Sequence, residues 1–239
     1  MKHNLDILQE TTDYILVNKP AGMLTIPDRA QSAISMKDRL MQQMESVFTV
    51  HRLDRDTSGI LLFAKNEIAH RYYSLLFEKR AVEKYYMGIV LGRPSNDEGL
   101  IDAPIMEHLT EKGKMIVHRQ GKSSQTGYRV EAGNSRYSLV KFQLHTGRTH
   151  QIRVHSKHIG HPLACDPLYG DGKPLMLSEI KKKYKLSIHE LEERPVIDRL
   201  ALHAFQLKFT DQQGKEQVVE APLPKTFTVW MKQLEKITG

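Results

Sequence analysis

The chain reads as α+β, on three observations. Short β-branched or aromatic runs recur along it, and several alternate apolar with polar residues as half-buried strands do. A few stretches instead carry apolar residues at helical spacing behind a capping residue or a proline. Forty per cent of the 239 residues are hydrophobic and charges of both signs are mixed among them, as in a globular protein rather than a disordered one.

Residues 14–18 form the first strand pattern, ended by the turn Lys19-Pro20-Ala21-Gly22. Residues 28–46 are polar, with a short helical pattern around Met36, Leu40 and Met44, where the methionines read as core packing rather than ligands. Residues 47–50 and 60–64 read as two strands, and the polar stretch 50–59 hangs between them as a loop, a common place for functional groups. Asn66 caps a helix to about Lys79, with Ile68, Tyr72, Leu75, Leu76 and Lys79 on one face. Residues 80–92 are strand-like and set Tyr85 and Tyr86 on opposite faces. Shorter strands follow near 100–101, 115–117 and 127–130. The clearest strand spans 137–144, with Val140, Phe142 and Leu144 alternating with Lys141 and Gln143. Gly147 permits a sharp turn, and Thr149 can cap a helix running from Gln151 to about Ile159. The stretch 171–199 is irregular and charged, and its Lys181-Lys182-Lys183 run reads as a solvated helix face, with an RNA-contacting insertion as the alternative. A strand at 200–209, a hairpin through Gln213-Gly214 to Val218-Val219, and a helix over 224–237 complete the chain.

At this length the chain forms one domain, 1–239, or two small lobes sharing a core. Its net charge of +7 and isoelectric point near 9.3 suit an anionic partner such as nucleic acid. Cys165 is the only cysteine, which excludes an intrachain disulfide framework and a cysteine zinc site. The first residues lack the apolar run of a signal peptide and no later run is long enough to span a bilayer, so a cytoplasmic location and no membrane partner are expected. His145, His150, His155, His158 and His161 raise a metal hypothesis. They lack the His-Glu-x-x-His spacing, and no acidic ligand precedes His161 nearby, so no metal is expected. Neither a dinucleotide fingerprint nor a phosphate-binding Gly-x-x-x-x-Gly-Lys-Ser/Thr loop occurs.

The loop holds Asp54 and Asp56 among His51, Arg52 and Arg55. On extended chain the two carboxylates would share a face about 6–7 Å apart at Cα. That spacing allows a glycosidase-like pair, but a loop carboxylate is more often a turn former or a surface partner, and spacing alone favours that reading. The sequence His51-Arg52-Leu53-Asp54-x-x-Thr57-Ser58-Gly59 resembles the central motif of the RluA-type pseudouridine synthases. Asn18-Lys19-Pro20-x-Gly22 resembles their opening motif, Lys84-x-Tyr86 their second and the stretch 145–155 their third. Gly160-His161-Pro162-Leu163-x-x-Asp166-x-x-Tyr169-Gly170 continues the third motif. The matches run from about 17 to 224. Many relatives carry an N-terminal S4-type RNA-binding domain, and none is expected here.

The resemblance implies a pseudouridine synthase fold: a central mixed, largely antiparallel sheet with helices outside and a basic cleft across its middle. It implies that Asp54 is the catalytic nucleophile, that Arg153 pairs with it, that Tyr86 lines the active site and that Ile152 forms part of an apolar wall. His51, Arg52 and Arg148 are expected to bind substrate: Arg148 as a phosphate contact near a helix N-terminus, Arg52 by filling the space of a flipped-out base or by pairing with Asp56 or phosphate. The expected partner is structured ribosomal or transfer RNA and the expected form is a monomer. Isomerising uridine breaks N1–C1′ and joins C5 to C1′ without oxidation or loss of a group, so no cofactor is expected. A non-catalytic RNA-binding module on the same scaffold is the alternative.

Overall fold

The computed structural model describes residues 5–179, 181, 184 and 192–238, with side chains to 233. In chain order the elements are β1 (Ile7–Glu10), β2 (Tyr14–Lys19), α1 (Met36–Met41), β3 (Phe48–Thr49), β4 (Ser58–Ala64), α2 (Glu67–Glu78) and β5 (Glu83–Leu91). There follow β6 (Glu98–Asp102), β7 (Ile105–Glu107), β8 (Met115–Val117), β9 (Gln125–Gly133), β10 (Tyr137–Leu144) and α3 (Gln151–His158). A 3-10 turn at Leu177–Glu179 precedes β11 (Leu202–Thr210), β12 (Glu216–Glu220) and α4 (Lys225–Thr238). The chain divides into two compact units, one reaching to Tyr86 and taking in His203–Pro222, the other holding Met87–Leu202 and the residues from Leu223 onward.

The first unit is built on β4, whose seven residues are all buried. β2 pairs with it antiparallel, β1 with β2 and β12 with β11 likewise, whereas β11 runs parallel to β4. A strand buried on both faces reads as a continuous apolar run, which is why Ile60-Leu61-Leu62-Phe63-Ala64 shows no alternation. Gly59 has φ +114°, and a Cβ there would lie 2.1 Å from the Ala204 carbonyl oxygen, so the parallel pairing of β4 with β11 requires glycine. α1 opens on a capping box in which Ser35 and Asp38 satisfy each other's backbone N–H groups.

α2 opens where expected, with Asn66 Oδ1 accepting from the Ala69 N–H at 2.8 Å, but its buried face is rotated from the expected one. Ile68 and Leu75 are exposed, whereas Ala69 and Tyr73 are buried. The aromatic rings decide the rotation. Tyr73 meets Tyr14 and Phe209 edge-on at 5.4 and 5.8 Å, Phe77 stacks on His51 at 4.3 Å and His70 stacks on Phe48 at 5.3 Å. Ring contacts of this size outweigh the aliphatic stripe.

In the second unit β9 pairs antiparallel with both β10 and β6, and β7 and β8 form a separate hairpin. Val140 and Phe142 are buried as the alternation required. Leu139, on the opposite face of the strand, is buried as well, and the partner strand β9 bulges at Glu131 beside it. Ile105 of β7, Val154 of α3 and Tyr169 make a small core with Met115 and Val117 of β8. Trp230 of α4 is fully buried and meets the Tyr137 ring edge-on at 5.2 Å. α3 spans the expected residues, but its N-cap is His150 in a left-handed conformation (φ 55°), not Thr149, and His150 makes no side-chain cap. The Gln151 side chain turns back on the preceding loop, its Oε1 accepting from the Arg148 N–H at 2.9 Å. Lys182 and Lys183 of the lysine run lie outside the described residues; Lys181 is exposed. No described helix is long and apolar enough to cross a membrane.

Candidate active site

Asp54 sits on a tight turn rather than on extended chain, because the Thr57 N–H donates to the Asp54 carbonyl at 3.2 Å. Its carboxylate is half-buried, while Arg52, Arg55 and Asp56 are exposed. Three ties fasten this turn to the segment after β2. The Leu53 N–H donates to Thr25 Oγ1 at 3.1 Å, and that hydroxyl donates back to the Leu53 carbonyl at 3.0 Å. Arg55 Nε donates to the Gly22 carbonyl at 3.2 Å. Lys19, fully buried at the end of β2, donates from Nζ to the carbonyls of Pro20 (3.0 Å), Met23 (2.7 Å) and Arg55 (2.9 Å). A buried ammonium must be met by acceptors, and the chain supplies them by curling 20–23 and 53–57 around it.

Tyr86 is buried near the end of the first unit. Burial pushes its phenol pKa well above the usual value and the Asp54 carboxylate pushes it further, so Tyr86 is a neutral phenol under the influence of Asp54. Its neighbour Tyr85 turns to Glu83. His51 Nε2 accepts from the Leu62 N–H at 3.0 Å, which ties the start of the loop to β4 and requires that nitrogen to be unprotonated. Burial, and then the ammonium of Lys84, hold the His51 pKa down to about 3. Lys84 is itself buried, 6.0 Å from the centre of the Phe77 ring, and its pKa is lowered by that burial and by Arg80.

The second unit gathers the other motif residues. Arg153 on α3 is buried, and its Nε and Nη2 donate to Asp166 Oδ2 and Oδ1 at 2.8 Å each. The guanidinium carbon lies 5.0 Å from the centre of the Tyr169 ring. Ile152 beside it is buried. Arg148 is half-buried, with Nε donating to the Ser123 carbonyl at 3.3 Å. His155 is fully buried between Thr126 Oγ1 and the Ala103 carbonyl, both at 2.9 Å, and His161 Nδ1 lies 2.9 Å from the Leu91 carbonyl. These two histidines are therefore hydrogen-bonding members of the framework. Among the described residues no group of three or more His, Cys, Asp or Glu side chains could hold a metal ion.

Sequence reasoning quoted Asp166 and Lys19 inside motifs without seeing their partners, and missed Thr25. An aspartate thirteen residues after an arginine carries no periodic signal, and a threonine in a polar stretch carries none at all.

The fold is that of the pseudouridine synthases. Human RNA pseudouridylate synthase domain containing 1 superposes with a TM-score of 0.72 at 27% identity, over 94% of this chain and 85% of that one. Human RNA pseudouridylate synthase domain containing 4 gives 0.73 at 25% identity, over 96% and 92%. Residues 13–158 match the model of the RNA pseudouridylate synthase family, and the chain belongs to that family of RNA uridine isomerases. Among similar proteins, the RNA pseudouridine synthase YlyB of Bacillus subtilis is 36% identical over 98% of this chain and 74% of its own length. The ribosomal large subunit pseudouridine synthase D of Nitrosomonas europaea is 35% identical over 98% of this chain and 66% of its own length. The RNA pseudouridine synthase ZMO0505 of Zymomonas mobilis is 35% identical over 90% and 91%.

Proposed function

We propose that this protein converts uridines of structured RNA to pseudouridine with Asp54 as the nucleophile, Arg153 as the cation that pairs with it and Tyr86 against the base. The observation that carries the reading is the clamped turn that holds Asp54 within the electrostatic reach of the buried Tyr86. Asp54 either adds to C1′ as N1–C1′ breaks, its ester bond to C1′ breaking again when C5 attacks, or removes the C2′ proton as N1–C1′ breaks to give a glycal and returns it when C5 attacks. In both routes the freed base turns, C5 bonds to C1′ and loses its proton, and N1 gains one. Arg153 serves a carboxylate well, because a guanidinium stays charged and offers a fork of donors. Tyr86 keeps its proton, so its part is to stack on the base rather than to act as a resting phenolate. Ile152 walls the base, Arg148 contacts phosphate, and His51 shapes the loop that Arg52 carries toward the RNA.

The relatives named as ribosomal large subunit enzymes make ribosomal RNA the first substrate to test, with transfer RNA as the second. The proposed compartment is the cytoplasm and the proposed form a monomer. The test is tritium release from RNA labelled at uridine C5 and taken from cells in which the gene is deleted. Asp54→Asn, with its fold checked by circular dichroism, is expected to release no label while its RNA affinity stays near that of wild type. Release at the wild-type rate would remove Asp54 as nucleophile. A wild type that binds this RNA and releases nothing would be a binding module.

A further inference from the structure

Arg153 is held by more than one carboxylate contact. Asp166 is fully buried, and both its oxygens are engaged by the Nε–Nη2 edge of the guanidinium. Oδ1 also accepts from the N–H groups of Leu168 (2.9 Å) and Tyr169 (3.2 Å), which fix the carboxylate to its own loop. Tyr169 lies against the guanidinium with its ring, and its hydroxyl accepts from the Met115 N–H at 2.8 Å and lies 2.8 Å from His150 Nδ1. Two non-glycine residues with positive φ bracket the arrangement, His150 (55°) just before the first turn of α3 and Cys165 (58°) just before Asp166. Such conformations cost energy and persist where the surroundings over-determine them, often at functional sites.

We infer that Asp166 is a positioning residue for the isomerisation: it grips one edge of the Arg153 guanidinium and so sets the direction in which the Nη1–Nη2 edge presents donors to a second carboxylate. A guanidinium offers two bidentate edges, and a carboxylate fixed to the Nε–Nη2 edge leaves the planar group no rotation about its own stem. The Tyr169 ring, its centre 5.0 Å from the guanidinium carbon, packs beside the held group. This rests on the proposed service of Arg153 to Asp54, and it adds that the service depends on Asp166 although Asp166 touches no substrate.

The test is a double-mutant cycle on the full chain, read as single-turnover tritium release from uridine-C5-labelled RNA of the gene-deleted cells, with RNA affinity measured in parallel. Asp166→Asn is expected to slow release about 10²-fold, the scale of a 1 Å misplacement, with RNA affinity unchanged. Arg153→Met is expected to be slow, and Asp166→Asn added to it is expected to slow release no further, because Asp166 acts only through Arg153. A purely structural aspartate would lower the rate by the same factor in both backgrounds, and that result overturns the inference. A fast Asp166→Asn beside a slow Arg153→Met overturns the inference alone, whereas a fast Arg153→Met overturns the role proposed for Arg153 and the inference with it. If Asp166→Asn does not fold, Asp166→Glu keeps the counter-charge but displaces the fork by one methylene. A folded, slow Asp166→Glu supports the inference and a folded, fast one overturns it.

Discussion

Replacing Lys19 with methionine tests whether a buried ammonium holds the Asp54 turn. Methionine keeps the length and the apolar stem but removes the charge and the three donor contacts at 2.7 to 3.0 Å. Each buried acceptor left without a donor costs about 1–3 kcal/mol. Pro20 and Arg55 are themselves exposed, so water reaches some of these carbonyls, and relief of the desolvated ammonium offsets part of the loss. A net loss of about 2–4 kcal/mol is expected. For a chain of this size each kcal/mol lowers the melting temperature by about 2–4 °C, so the fall should be about 4–16 °C. Thermal and urea melts measure it. Amide exchange should accelerate first at Leu53 and Thr57, whose N–H groups are bonded within the clamped turn, and tritium release should fall with it. A Lys19→Met protein that melts with wild type and keeps its exchange protection over 53–57 would refute the clamp.

Gly59→Ala should destabilise by at least about 3 kcal/mol or abolish soluble expression, since the new Cβ has only the Ala204 backbone to enter and φ is +114°; a stable, soluble variant would contradict the close approach of β4 and β11. His51 takes up a proton in the unfolded chain below about pH 6.5 but in the folded one only near 3. The stability it contributes is therefore whole above the first value and is lost as pH falls toward the second, by up to about 1.4 kcal/mol per pH unit. His51→Gln, which can still accept from Leu62, should flatten that part of the urea-midpoint profile between pH 7 and 5, and an unchanged slope would refute the assignment. RNA affinity should fall linearly in log–log form with salt, by about 0.7 to 0.9 per phosphate contact; titrations at several salt concentrations that leave the dissociation constant unmoved would refute a phosphate-based interface.

Local chemistry was enough to place much of this protein. Asn66 capped α2 because a short amide before a run of helix formers accepts readily from the first-turn N–H groups, and Phe142 turned inward because alternation points it to the apolar face of its strand. The motif order singled out Asp54, Tyr86 and Arg153 as candidates before any geometry, since each stands in a stretch that resembles a family motif. Tertiary structure decided what depends on residues distant in sequence. Which face of α2 is buried was set by Tyr14 and Phe209, 59 and 136 positions from Tyr73 along the chain, and no periodicity within the helix encodes that. Lys19 read as part of a turn, yet its burial follows from carbonyls contributed by Met23 and Arg55. Asp166 became the partner of Arg153 only when the loop after α3 folded back on the helix. A hydrogen bond is a matter of ångströms between two atoms, and the one-dimensional spacing of residues records ångströms only where secondary structure is regular; loops convert spacing into distance through the fold alone.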